Sequence, residues 1–195
     1  MHIRQKGRTN ALKDKLHNNP DHFKRQYAII LFMKKCANDN ERFMNEAIKE
    51  AKKAYALEEC PIGCVLVKDG KIIARAHNQK VTKNNALMHA EVIAINKACK
   101  KLNDWHLNDC DMYVTLEPCT MCAGAMIQSR VRKVYFGAYE PKSGAVCSCN
   151  NIFDTSNGHN HFVDSEGGVL QDECSSIMKS FFKEIREKHK QTPHN

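Results

Sequence analysis

The sequence predicts an α/β domain in which a β-hairpin is followed by parallel strands, with helices on both faces of the sheet. Three observations carry this. Two apolar runs, Ile62 to Val67 and Lys71 to Ala76, flank Lys68-Asp69-Gly70, and an Asp-Gly pair between such runs is a hairpin signal. Segments with helical periodicity, about 89–101 and 119–130, alternate with the short apolar runs Met112 to Leu116 and Val131 to Gly137. A strand-helix-strand order closes by a right-handed crossover, which makes the two strands parallel.

Element by element, Asn38 with Glu41 three residues on predicts a capping box. Phe43, Ala47, Ala51 and Tyr55 then recur every four residues, as on one helix face, and Pro61 predicts the stop. After the hairpin a polar loop, roughly 77–86, leads to the helix at 89–101, whose apolar face is Ala90, Ile93, Ala94 and Ala98. Met112 to Leu116 runs directly into Glu117-Pro118, with Pro118 expected at the first position of the next helix. The Gly/Asn/Ser-rich stretch 143–160 predicts a loop with a short helical turn. A last strand at 161–164 and a helix at 172–188 complete the domain. The expected division is a basic extension, 1–37, and a folded domain, 38–190.

The chain has 195 residues and a net charge of +8. Nine Lys/Arg against Asp14 and Asp21 in residues 1–35 give that segment +7 and leave the remainder near +1. Nucleic-acid binding by the core therefore has to use local patches rather than a global field. The leader reads as a partly ordered extension, an over-long start (Met33 is itself able to begin a chain), or a basic organellar or RNA-binding tail. Its apolar run Tyr27 to Met33 is followed by Lys34-Lys35. That run is far short of the about 20 residues that span a bilayer, and no small-residue cleavage site follows it. Ten cysteines in a chain of this size lie in apolar periodic segments (Cys64, Cys99, Cys110) or in metal-like pairs. That distribution predicts reduced thiols and a cytoplasmic protein rather than a secreted disulfide scaffold.

The chemistry lies in two short motifs, His89-Ala90-Glu91 and Pro118-Cys119-Thr120-Met121-Cys122. A lone CxxC is equally a redox pair, half a zinc ribbon or coincidence, and Cys147-Ser148-Cys149 lacks the spacing of a second ribbon pair. With the first motif the reading sharpens. His89 and Cys119 both begin helices, and Cys119 and Cys122 share one face of a first turn. Helix N-termini favour the thiolate that binds metal. A His/Cys/Cys set leaves the fourth tetrahedral position of zinc open, the mark of a catalytic site. A structural zinc would need a fourth ligand, and neither His77, Cys110 nor Cys147 has suggestive spacing. Zinc lowers the pKa of bound water from about 15.7 to about 7. Glu91 is placed to take that proton and deliver it to a ring nitrogen and then to leaving ammonia. This His-x-Glu with Pro-Cys-x-x-Cys combination is the signature of zinc-dependent base deaminases.

At these residues the chain resembles the cytidine-deaminase-like superfamily, and within it the bacterial tRNA-specific adenosine deaminases. The likeness runs from about Glu41 to Lys188, through Pro61-Ile62-Gly63, Ala76-His77-Asn78, His89-Ala90-Glu91, the run Tyr113 to Met126, Ser129-Arg130 and Phe136-Gly137-Ala138. The resemblance implies a three-layer α/β/α cytidine-deaminase-like fold with a mixed central sheet. It implies one Zn2+ per subunit on His89, Cys119 and Cys122, with Glu91 as the proton shuttle while zinc-bound hydroxide attacks C6. It further implies conversion of the wobble adenosine of tRNA anticodon stem-loops to inosine, by a homodimer without membrane attachment. Carried over residue by residue, Asn78 is a base contact or a polar strand end. Glu140, Lys142 and Asn151 are RNA-loop contacts or ordinary loop residues, and Phe181-Phe182 stack on a nucleotide or pack in the core. The alternative is a zinc deaminase of a free base or nucleotide: guanine, cytosine or a pyrimidine nucleotide. The chain departs from the family at Asn85-Ala86-Leu87-Met88, before the zinc histidine, and in carrying Glu140 where aspartate is usual.

Overall fold

The computed structural model describes residues 20–191; the first part of the expected basic extension, 1–19, lies outside them. The chain divides into two compact units between Asp39 and Asn40. In the first, residues 20–39 are helical, with Tyr27, Ile29, Ile30 and Leu31 exposed. No helix among the described residues is long and apolar enough to cross a membrane.

The elements run α1 (Pro20–Ala56), β1 (Gly63–Lys68), β2 (Lys71–His77), α2 (Ala90–Leu102), β3 (Cys110–Leu116), α3 (Thr120–Gln128), β4 (Lys133–Ala138), a 3₁₀ turn (Thr155–Asn157), β5 (Asp164–Gly167) and α4 (Gln171–Gln191). The sheet order is β2-β1-β3-β4-β5. β1 pairs antiparallel with β2 and β3, whereas β3, β4 and β5 run parallel. The expected mixed sheet and three-layer α/β/α fold are therefore observed. The hairpin turns at Asp69 (φ 50°) and Gly70 (φ 69°), the pair of positive φ values of a type I′ turn.

Period-two alternation sorts the strands between two cores. Cys64, Leu66, Met112, Val114, Val134 and Phe136 face α2 and α3, packing on Ala90, Ala94, Ala98, Ala123 and Met126. Val65, Val67 and Tyr113 face the other way, with Phe43, Met44, Ala47 and Ile48 of α1 and Cys174 of α4. At Gly63 the approach is backbone on backbone: a Cβ there would overlap the Ala47 carbonyl and the Ala51 amide.

Three expectations are corrected. The capping box at Asn38 does not start the helix, which begins at Pro20; no glycine or proline between 21 and 60 interrupts it, so a capping residue has no helix end to cap. Its end comes at Ala56, before Pro61, where Glu58 takes a left-handed backbone (φ 57°). Pro118 is not the first helical residue, because Cys119 is the N-cap and still extended (φ −77°, ψ 171°); the Pro118 carbonyl accepts from Ala145 N at 2.9 Å and Cys119 bridges to Gly144. The last strand lies at Asp164–Gly167, a few residues beyond its expected place, since its pairing to β4 and not its polar sequence defines it.

Gly63→Ala should lower unfolding free energy by about 2 kcal/mol or more, the cost of forcing atoms into a packed contact. The urea midpoint measures it, and an unchanged midpoint would mean that α1 does not press on β1 there.

Candidate active site

Two helix starts meet at the carboxyl ends of the strands. His89 caps α2 with extended backbone (φ −77°, ψ 148°), and Cys119 caps α3 in the same way; neither side chain makes a capping hydrogen bond. Both are thereby free to turn toward each other. His89 Nδ1 lies 3.7 Å from Cys119 Sγ and 3.5 Å from Cys122 Sγ. The three donor atoms all fall within 4.8 Å of one another, the sole such group of three among the described residues. The other proposed ligands stay away: His77 contacts Glu50 and Gln79, Cys110 is buried at the start of β3, and Cys147 lies exposed in the 140–148 loop.

The electrostatics of the group are those of a soft-metal site. The hydrogen bond from Cys122 pulls the Cys119 thiol down to about 4; burial opposes this and His89 assists it. That same bond, with burial, pushes Cys122 up, and the bond to Cys119 raises His89. The arrangement thus favours a thiolate at Cys119. Glu91, at the second position of α2, is buried, and burial raises its pKa. Its Oε2 has no hydrogen-bond partner, an expensive state for a buried oxygen. The donor set suits tetrahedral zinc, and the unpartnered carboxylate oxygen fits a solvent molecule beside the ion.

Asn78 follows β2, buried, with its amide N donating to Ile62 O at 3.0 Å. Its Nδ2 donates to Glu59 Oε2 at 3.3 Å, while Oδ1 has no partner. Glu59 is fully buried and also accepts from Thr82 N at 2.6 Å. Burial works against its charge, but the donors from Thr82, Val81 and Asn78 outweigh it and hold the carboxyl below its usual value.

Glu140 and Lys142 lie in the loop after β4, and Lys142 N donates to Glu140 Oε1 at 2.9 Å. They line a groove of about 600 Å³ together with Tyr139, Lys179, Phe182 and Arg186. Of the two aromatics on α4, Phe181 is buried against Tyr55 and Phe182 faces this groove. Asn151 does not line it; it stands exposed further along the loop, where its carbonyl accepts from Asn157 Nδ2. Two residues escaped the motif reading, Glu59 and Glu117. Glu117 is buried, and although burial opposes its charge, donors from Ser148, Cys147 and Glu140 bring its carboxyl to about 2. The available signal was an acid placed just before Pro118 in an otherwise apolar segment.

A family model described as MafB19-like deaminase matches residues 38–186. The tRNA-specific adenosine deaminase of Bacillus subtilis (strain 168) is 49% identical over 77% of this chain and 93% of its own length. The chain belongs to the tRNA-specific adenosine deaminase family. Its counterpart in Aquifex aeolicus (strain VF5) is 43% identical over 75% of this chain and 95% of its own. A solved structure from work on A-to-I editing by tRNA:A34 deaminases at the wobble position of transfer RNA is 42% identical. It superposes with a TM-score of 0.66 over 70% of this chain and 98% of that one. The guanine deaminase of Bacillus subtilis is more distant, at 32% identity and a TM-score of 0.51 over 75% and 93% of the two chains.

Because the folded pKa of Glu59 is depressed, its stabilisation is present above the unfolded value, about 4.3, and is lost as pH falls through the folded one. Glu59→Gln should therefore cost about 1–3 kcal/mol at pH 7, and the gap to the parent should close in acid. Denaturation midpoints followed from pH 7 down into acid check this; a gap that does not narrow as pH falls would mean that charge is not what Glu59 contributes.

Proposed function

We propose that this protein hydrolytically deaminates adenosine to inosine at the wobble position of tRNA anticodons. The single observation that carries the chemistry is a His/Cys/Cys triplet within 4.8 Å beside a buried carboxylate oxygen with no partner. The relatives carry the substrate: proteins named tRNA-specific adenosine deaminase, 43–49% identical over most of their length.

His89 Nδ1, Cys119 Sγ and Cys122 Sγ would hold one Zn2+ per chain. When bound, it supplies a Lewis acid that lowers the pKa of a coordinated water. Glu91 receives the proton of the attacking water and passes it to N1 of the purine as a C–O bond forms at C6. It then takes the proton of the new C6 hydroxyl and delivers it to the departing amine as the C6–N6 bond breaks, so that water and adenosine become inosine and ammonia. Its unpartnered Oε2 supports this role, since the site leaves that oxygen free for a transferable proton. The Asn78 amide, oriented by Glu59, hydrogen-bonds the extruded base. Glu140, Lys142 and Asn151 contact the anticodon loop, with Lys142 toward phosphate. The working form in this reading is a cytoplasmic homodimer.

Glu91→Ala should keep zinc and the fold and lose at least about 10²-fold in kcat, whereas Cys119→Ala should also lose the metal. Zinc analysis beside an ammonia assay separates the two; parent-rate ammonia release by Glu91→Ala would remove it as the proton carrier. The protein should form inosine in an anticodon stem-loop with adenosine at the wobble position, and chelation should abolish this. Fast turnover of free guanine or cytosine, with no inosine in the stem-loop, would instead support a free-base deaminase.

A further inference from the structure

The segment between β4 and β5, 139–163, contains one 3₁₀ turn and no α-helix. Its first part, which carries Glu140 and Lys142, packs Ala145 and Val146 into the core, and polar contacts hold the rest. They converge on Glu117. Its Oε1 accepts from the amides of Val146 (3.2 Å), Cys147 (2.8 Å) and Ser148 (2.9 Å). Its Oε2 accepts from Glu140 N at 3.1 Å and from the Ser148 hydroxyl.

A carboxylate has about four lone-pair sites. Five donors saturate it, so Glu117 has nothing left to ligate a metal or carry a proton. The backbone around it is fastened as well: Glu117 N donates to Ala138 O at 2.8 Å and Ala145 N to Pro118 O at 2.9 Å. Gly144 lies so close that a Cβ there would overlap the Glu117 carboxyl group. The hydrogen bonds continue outward, from Glu117 to the Glu140 amide, and from the Glu140 side chain to the Lys142 amide. Two residues after Glu117 comes Cys119.

We propose that Glu117 is a positioning residue for RNA binding: its buried carboxylate fastens the 140–148 loop to the segment bearing Cys119 and sets where Glu140 and Lys142 meet the substrate. This rests on the tRNA reading above. The device separates two tasks: the metal donors sit at the N-terminal ends of α2 and α3, while the Glu117 carboxylate gathers the amides of the substrate loop.

The test uses full-length protein and an anticodon stem-loop with adenosine at the wobble position. No inosine from the parent protein would remove the tRNA reading itself, independently of Glu117. Given parent activity, Glu117→Gln should keep its zinc and raise KM about tenfold or more, the effect of breaking hydrogen bonds to a charged group. Its kcat should stay within about threefold of the parent. Amide hydrogen exchange at Glu140 and Val146 to Ser148 should accelerate, and Glu117→Asp should restore part of the affinity. An unchanged KM would overturn the proposal. So would a fall in kcat with zinc loss at constant KM, which would put Glu117 in the service of the metal. Should Glu117→Gln not fold, Ser148→Ala decides: it removes one donor from the loop side, and a KM equal to the parent's would overturn the proposal.

Discussion

Everything at this site depends on α2 and α3 starting side by side over one face of the sheet. The sheet-facing residues Ala90, Ala94 and Ala98 of α2 and Ala123 of α3 are small and buried, so both helices can lie close to the strands. Their caps then arrive at the same place. Extended backbone at both caps keeps an imidazole and a thiol out of their own helices, and the positive helix ends favour sulfur as thiolate. Geometry and charge thus come from the same packing.

Two buried carboxylates hold the rim of that site. Glu59 gathers the start of the loop after β2, including Asn78 and Thr82, and Glu117 gathers the loop after β4. A buried carboxylate is costly unless its lone pairs are filled, and here backbone amides fill many of them. The cost of burial becomes a demand for particular loop shapes, because moving either loop would strand a charge. Glu91 contrasts with both: it is buried with an oxygen left unfilled, the feature on which its proposed proton role rests.

Much of the fold could be read from the sequence because its cues are local. The Asp69-Gly70 turn and the period of α2 reside within about a dozen residues, and the strand-helix-strand order within about thirty. The convergence of His89 with Cys119 and Cys122, 30 and 33 positions on, is legible because a short motif marks each of its two ends. What stayed hidden was non-local. Glu117 precedes a proline and looks like the end of a strand; its partners are amides about 20 to 30 positions away that no pattern announces. Glu59 likewise reads as a surface acid after a helix, until Asn78 and Thr82 fold over it. The start of α1 was misplaced because Asn38 and Glu41 satisfy a local capping rule inside a helix that nothing upstream interrupts. Pro118 precedes the first helical residue by two positions because the bridge from Cys119 to Gly144 keeps the chain extended past it.

The helix-free link between β4 and β5 also bears on how such a protein changes over generations. A helix there would tie its sequence to the sheet beneath it, and each replacement would be felt in the core. A loop seated by Ala145, Val146 and one buried carboxylate can exchange its exposed residues, or lengthen beyond Ser148, while the sheet keeps its packing. On the role proposed for this loop, descendants drift toward different nucleic-acid partners through this one stretch, with the deaminating chemistry inherited intact.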